Sequence, residues 1–164
     1  MSLHLQRLSV VDGPEIYALV QSILTEDGGP AGGISPEEFQ PWLQRQHEIS
    51  LGINIPEGRV PQTTYWLYND NTPVGMCKLR TVLSPALAKR GGHIGYAIAP
   101  FARGRGYGKE QLRLILIEAK RQGMTRAMVT VRNHNTASIR VALFNGGIIE
   151  RVSEEDHYIW FDLK

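Results

Sequence analysis

A chain of 164 residues with 42% apolar and 21% charged residues and a formal net charge of +2 has the make-up of one folded domain, residues 1–164, and its composition excludes disorder. No apolar run reaches the roughly 18–20 residues of a membrane span, and Met1–Val10 has no basic stretch ahead of a long apolar one, so no membrane partner and no signal peptide are expected and the expected location is cytoplasmic. The single cysteine, Cys77, excludes an internal disulfide, and His4, His47, His93, His134 and His157 show no metal-ligand spacing, so no metal site is expected.

The alternation of Leu3–Ser9 predicts a first strand. Asp12-Gly-Pro-Glu15 then signals a helix start, with Asp12 as the cap, Pro14 in the first turn and Glu15 at capping-box spacing. Ile16, Leu19, Val20, Ile23 and Leu24 form one apolar face, and the helix is expected to stop before Asp27-Gly28-Gly29-Pro30. Ser35-Pro36-Glu37-Glu38 repeats the start signal ahead of a short second helix with Phe39, Trp42 and Leu43. Residues 47–62, with Gly52, Pro56, Gly58 and Pro61, read as a long loop of the kind that often serves function. Thr63–Tyr68 and Val74–Val82 read as two strands around a turn at Asn69–Pro73, and Cys77 within the second is a buried hydrophobe rather than a nucleophile. Ser84–Gly92 fits either a helical turn or a loose connection.

Ile94–Ile98 is a strand that stops at Pro100. Gly104, Gly106 and Gly108 follow, and then Leu112, Ile115, Leu116 and Ala119 mark a helix whose end is signalled by Gly123. Ala127–Val131 is the next strand. Asn135–Asn145 is a helix with Ile139, Leu143 and Phe144 inward, ended by Gly146-Gly147. Ile148–Val152 and His157–Leu163 close the chain around the turn Ser153–Asp156. The order β α α β β β α β α β β predicts an α/β (α+β) three-layer sandwich, a mixed, mostly antiparallel sheet of about seven strands flanked by four helices. Trp42, Trp66 and Trp160 are expected in the core or at an interface.

A strand, a glycine-rich turn and a helix N-terminus in that order make an anion site, because the first helical N–H groups have no partner inside the helix and the dipole is positive there. Charge agrees with that placement. Residues 103–132 carry 8 basic and 2 acidic side chains, while residues 1–102 carry 7 and 9 and residues 133–164 carry 3 and 5. A dinucleotide fingerprint requires glycine where Lys109 stands, and a P-loop ending at Gly108-Lys109 requires glycine at Arg103 and Ser or Thr at Glu110, so neither is present.

The spacing Arg103-x-x-Gly106-x-Gly108 instead resembles the acetyl-coenzyme A signature of the GNAT N-acetyltransferases, and the flanking GHIGYAIAP and VTVRNHNTASIRVALFNGG resemble the neighbouring strands and fourth helix of that family. The resemblance is specific from about Gly92 to Gly147. It implies a domain whose central strands splay into a V around acetyl-coenzyme A (acetyl-CoA). The pantetheine arm would lie along the strand ending Ile98-Ala99-Pro100, and the diphosphate would sit on the backbone of Arg103, Gly104, Arg105, Gly106, Tyr107 and Gly108 at the head of the Lys109 helix. The Arg103 side chain either adds charge-assisted bonds or braces the loop. Asn135 either faces the cofactor or is an ordinary helix cap.

The resemblance also implies transfer of an acetyl group to a primary amine of a small molecule or peptide N-terminus by direct attack. His93 stands where many relatives have glutamate and is the candidate base, against a structural strand-end histidine. The family's acid is a tyrosine at the position of Ala142, which leaves Tyr158, water or nothing to protonate the thiolate. Glu26, Asp27, Glu37 and Glu38 fall where the family binds its acceptor, or are simply helix-dipole partners. The departure at Ala142 raises a second function, a non-catalytic acyl-CoA-binding module on the same fold. Dimers are common in the family, so a homodimer is a candidate assembly. Arg-Gly-Arg-Gly lies between a strand and an apolar helix rather than in an extended basic tract, so no nucleic-acid partner is expected.

Overall fold

Among the described residues, seven strands fall into two antiparallel sheets, with the break between the strands that flank the glycine-rich turn. The computed structural model describes residues 2–26 and 33–164. The first sheet joins β1 (Leu3–Arg7), β2 (Thr63–Asn69), β3 (Thr72–Leu79) and β4 (Ile94–Ile98) in that order; the second joins β5 (Arg126–Arg132), β7 (Asp156–Asp162) and β6 (Ile148–Val152). Among the described residues five α-helices connect them: α1 (Pro14–Leu24), α2 (Pro36–Ser50), α3 (Pro85–Lys89), α4 (Tyr107–Arg121) and α5 (Thr136–Phe144). The expected element order is present. The fifth helix is α3, which resolves the open reading of Ser84–Gly92; Ser84 Oγ caps it by accepting from Leu87 N–H.

The layers follow from strand alternation. On β3, Cys77 and Leu79 face α4, whose Leu112, Ile115, Leu116 and Ala119 pack on both sheets, while Met76 faces α1 and α2 through Ile16, Leu19, Phe39 and Leu43. Cys77 is fully buried and burial pushes its thiol pKa up, as befits an inert core residue. Trp66, also fully buried, sits in the second layer.

Three local expectations are corrected. Asp12 does not cap α1; Gly13 holds the cap position, and the Asp12 carboxylate instead accepts from Ser9 N–H and from the buried Trp66 indole N–H, each at 2.8 Å. Leaving that indole unpaired would cost more than a missing cap at an exposed terminus. Helix α2 continues to Ser50; its apolar stripe thins after Leu43, where Gln44 to His47 are polar and only Ile49 follows, so the sequence does not announce the last turn. On α5 it is Ala142, with Ile139 and Val141, that packs inward; Leu143 and Phe144 are exposed, and the Lys109 ammonium lies 4.5 Å from the Phe144 ring centre. The terminal turn Asp27–Pro30 expected for α1 lies outside the described residues.

Candidate active site

Among the described residues, backbone hydrogen bonding between the two sheets is confined to one point. His93 N–H donates to Met128 O at 2.8 Å, and Met128 N–H donates to His93 Nδ1 at 2.9 Å. Gly92 permits this approach: its φ is +64°, and a Cβ there would stand 2.4 Å from Met128 O. Beyond His93, among the described residues, no backbone bond joins β4 to β5, so the strands diverge and leave an open edge.

The register of β4 fixes what that edge offers. Arg80 N–H donates to His93 O (2.7 Å) at one end of the β3 pairing and Ala99 N–H to Val74 O (2.9 Å) at the other. By antiparallel alternation Gly95 and Ala97 turn their backbone groups to β3, while Tyr96 and Ile98 turn theirs into the gap. Among the three residues expected to carry the pantetheine arm, only Ile98 therefore presents a free N–H to it. The Ala99 N–H is spent on Val74, its side chain is fully buried, and Pro100 has no N–H and opens an exposed helical turn.

A cleft of about 630 Å³ occupies the gap, walled by Tyr96, Ala97 and Ile98 on one side and by Asn135, Ser138 and Val141 of α5 on the other. Its floor is the glycine-rich turn. Among the described residues no acceptor is present for any backbone N–H from Gly104 to Lys109; the next, Glu110 N–H, donates to Gly106 O at 3.4 Å. Gly106, at the cap position of α4, has φ +81° with no atom within 4 Å of a built Cβ, so the backbone can be approached closely there, and six consecutive amides are without an acceptor among the described residues. The side chains of this turn do other work. Tyr107 is buried and its hydroxyl accepts from Asn69 Nδ2 at 2.9 Å, Lys109 lies on Phe144, and Arg105 is exposed. Arg103 pairs with Glu26 at the cleft rim and donates from Nε to Ile98 O at 3.2 Å, which is the bracing role.

Asn135 caps α5, its Oδ1 accepting from Ser138 N–H at 3.2 Å, and it lines the cleft as well. The cap reading of that residue holds, and its place on the cleft wall is compatible with the other. The cap orients Ser138, whose Oγ lies 2.8 Å from the Tyr96 hydroxyl. Burial pushes the Tyr96 phenol above its ordinary value, so it stays protonated at neutral pH. Neither residue was singled out from the sequence; they are 42 positions apart and only the fold joins them.

The two candidate catalytic residues lie elsewhere. Tyr158 is buried on β7 and donates to Lys89 O at 2.7 Å. His93 is buried beside Trp160, outside the cleft, and its Nδ1 lone pair is held by Met128 N–H. Burial, with Arg80 and Arg126 nearby, lowers its pKa below the ordinary 6.5. Ala142 is fully buried, so the family's tyrosine position holds no acid here. Of the carboxylates proposed for an acceptor mouth, Glu26 is paired, Glu37 and Glu38 sit in the first turn of α2, and Asp27 lies outside the described residues. Among the described residues no cluster of His, Cys, Asp or Glu is placed to hold a metal, and no helix is long and apolar enough to cross a membrane.

Splayed strands with an open strand edge on one side and unpartnered helix-start amides below leave a cleft with the shape and polarity to suit a long ligand with an anionic end. The profile of the acetyltransferase (GNAT) family matches residues 19–144, and the chain belongs to that family. No curated protein matches it. Among solved structures it is similar to the acetyltransferase from Salmonella typhimurium that modifies the N-terminal serine of ribosomal protein L7/L12 (18% identity, 99% of this chain and 95% of that one, TM-score 0.70). It is similar also to an N-acetyltransferase from Staphylococcus aureus Mu50 (15% identity, 100% of both chains, TM-score 0.66). RimL, a ribosomal L7/L12 α-N-protein acetyltransferase solved with coenzyme A, superposes with TM-score 0.69 at 18% identity over 96% of this chain and 98% of that one. At these identities the likeness is one of fold.

Proposed function

We propose that this protein moves the acetyl group of acetyl-CoA to a primary amine by direct attack. The observation that carries the reading is the run of unpartnered amides from Gly104 to Lys109, continuous with the edge of β4, where Tyr96 and the N–H of Ile98 lack a backbone partner while Ile98 O accepts from Arg103. The diphosphate sits on the former, where fixed dipoles and a left-handed Gly106 cost no rearrangement on binding. The pantetheine amides extend the sheet along the latter in strand-addition fashion. The Ile98 N–H, or that of Tyr96, then faces the thioester carbonyl and supports the oxyanion of the tetrahedral intermediate.

The amine attacks the carbonyl carbon, and collapse of the intermediate breaks the carbon–sulfur bond. Tyr96 and Ser138 form the proton-donating pair for the departing thiolate, a role that the sequence reading left to Tyr158, water or nothing. Among the described residues no cleft-lining side chain is a free base: Glu26 is held by Arg103, and His93 is engaged elsewhere. The amine therefore loses its proton to water, and kcat/KM rises with pH along the amine's own titration.

Relatives of this fold that acetylate a protein N-terminus make a peptide amine a reasonable first acceptor, with small amines beside it. The test is release of coenzyme A thiol against a panel of peptide N-termini and small amines. The expected result is turnover of at least one amine, rising with pH. Tight coenzyme A binding with no thiol release for any amine would instead mark a non-catalytic acyl-CoA-binding module.

A further inference from the structure

The Tyr96–Ser138 pair has a second side. A cleft of about 290 Å³ lies beyond it, lined by Arg80, Gly95, Tyr96, Thr130 and Ser138 among others. It shares Tyr96, Asn135 and Ser138 with the coenzyme A cleft, so a molecule entering here meets β4 beside the reacting carbon. Gly95 forms part of its wall, and a Cβ there would meet nothing within 4 Å. Lys78 stands directly opposite Gly95 on β3, and by strand alternation it shares the face of Met76, the one covered further along by α1 and α2.

The charges on this side are unbalanced. Arg90 is paired with Glu155 and Asp156, Arg132 with Glu155, and Arg103 with Glu26. Arg80, by contrast, donates only to neutral groups, to Gln62 Oε1 at 2.8 Å and to the carbonyls of Gly91 and Gly92 at 3.4 and 3.0 Å. It is half-buried, and among the described residues it has no carboxylate partner. Lys78 is also half-buried, and among the described residues its ammonium has neither ion pair nor hydrogen bond. Burial lowers the pKa of Lys78, and Arg80 and Arg59 repel its charge further. A half-buried cation with no counter-charge is costly in the empty protein and is offset by an anion that arrives with the ligand.

Resting on the acyl-transfer reading above, we propose that the acceptor carries an anionic group, a carboxylate or a phosphate, close to its amine, and that Arg80 on the wall of this cleft receives it, assisted by the charge of Lys78, which does not line the cleft but stands opposite Gly95 on β3. The amine is then delivered past Gly95 toward Tyr96 and the thioester. Neutral and cationic amines lack that anchor.

Equilibrium titration with coenzyme A already bound tests this without requiring turnover. One arm compares C-terminally amidated serine-led peptides whose next two residues are glutamate, glutamine or lysine. The other compares a 2-amino sugar 6-phosphate with the unphosphorylated sugar, so the arms separate a carboxylate source from a phosphate source. The expected result is that at least one anionic member binds about tenfold or more tightly than its neutral counterpart. Lys78→Met and Arg80→Gln should each shrink that preference to about threefold or less while coenzyme A affinity is kept. Arg80 also ties down the Gly91–Gly92 turn, so Lys78→Met, which keeps the apolar stem, serves as the variant free of that effect. Equal affinities, tighter binding of the lysine peptide, or no binding of either anionic member would overturn the proposal. Loss of coenzyme A binding itself would overturn the acyl-transfer reading instead, and it is read in the same titration.

Discussion

At the scale of single residues, His93 separates position in the sequence from role in the fold. It occupies the place where a family base is expected, yet its Nδ1 accepts from Met128 N–H and fastens the two sheets at the point where they part. The neutral ring with its proton on Nε2 is the form that makes this bond. Because the folded pKa lies below the ordinary 6.5, the unfolded chain binds the extra proton first as pH falls. Its contribution is therefore full above that ordinary value and is lost as pH drops toward the folded one. Melting curves taken down through this window should fall for the wild type. They should flatten for His93→Gln, which should also be less stable throughout by about 1–3 kcal/mol from the unpaired Met128 amide. The pH dependence of turnover should be unchanged in that variant. The pair proposed as proton donor was illegible for the opposite reason: Tyr96 reads as an ordinary strand residue and Ser138 as an ordinary first-turn residue until the fold brings their oxygens to 2.8 Å. Tyr96→Phe and Ser138→Ala should each lower kcat by about a hundredfold or less with little change in the KM for acetyl-CoA, as loss of a proton donor does. A shift confined to KM would assign them to binding.

At the scale of elements, the strand, turn and helix from Ile94 to Arg121 were the most legible part of the chain. Glycine spacing, a helix stripe and local charge all pointed to one anion site, and the turn has its amides open. What spacing did not reveal is the division of labour within it: backbone for the ligand, and the side chains of Tyr107, Lys109 and Arg103 for the core, for α5 and for the rim. Gly106→Val tests that division. A β-branched residue at φ +81° costs roughly 1–2 kcal/mol and turns the amides aside, so affinity for coenzyme A should fall about tenfold or more while the melting temperature changes by only a few degrees. The elements less well read are those whose signal is weak by nature. The last turns of α2 carry a single apolar residue, Ile49, after Leu43, and α5 is so short that one shift of its inward face exchanges Ala142 for Leu143 and Phe144.

At the scale of the whole molecule, the strands were legible but the break between them was not. Alternation reports that a segment is a strand and which face is buried, and says nothing about which neighbour it lacks. The break depends on Gly92 accepting Met128 within its van der Waals shell and on α4 packing under both sheets, relations between residues distant in sequence. From that break come the bare edge of β4, the cleft above the turn and the second cleft beyond Tyr96. The central claim is that the open amides between Gly104 and Lys109 hold the diphosphate of an acyl-CoA. Titration calorimetry with coenzyme A and, separately, with pantetheine, which lacks the diphosphate, measures this most directly. The account predicts saturable one-to-one binding of coenzyme A and binding of pantetheine weaker by at least about a hundredfold, the equivalent of two charge-assisted bonds. No heat with coenzyme A, or equal affinity for the two ligands, would contradict it.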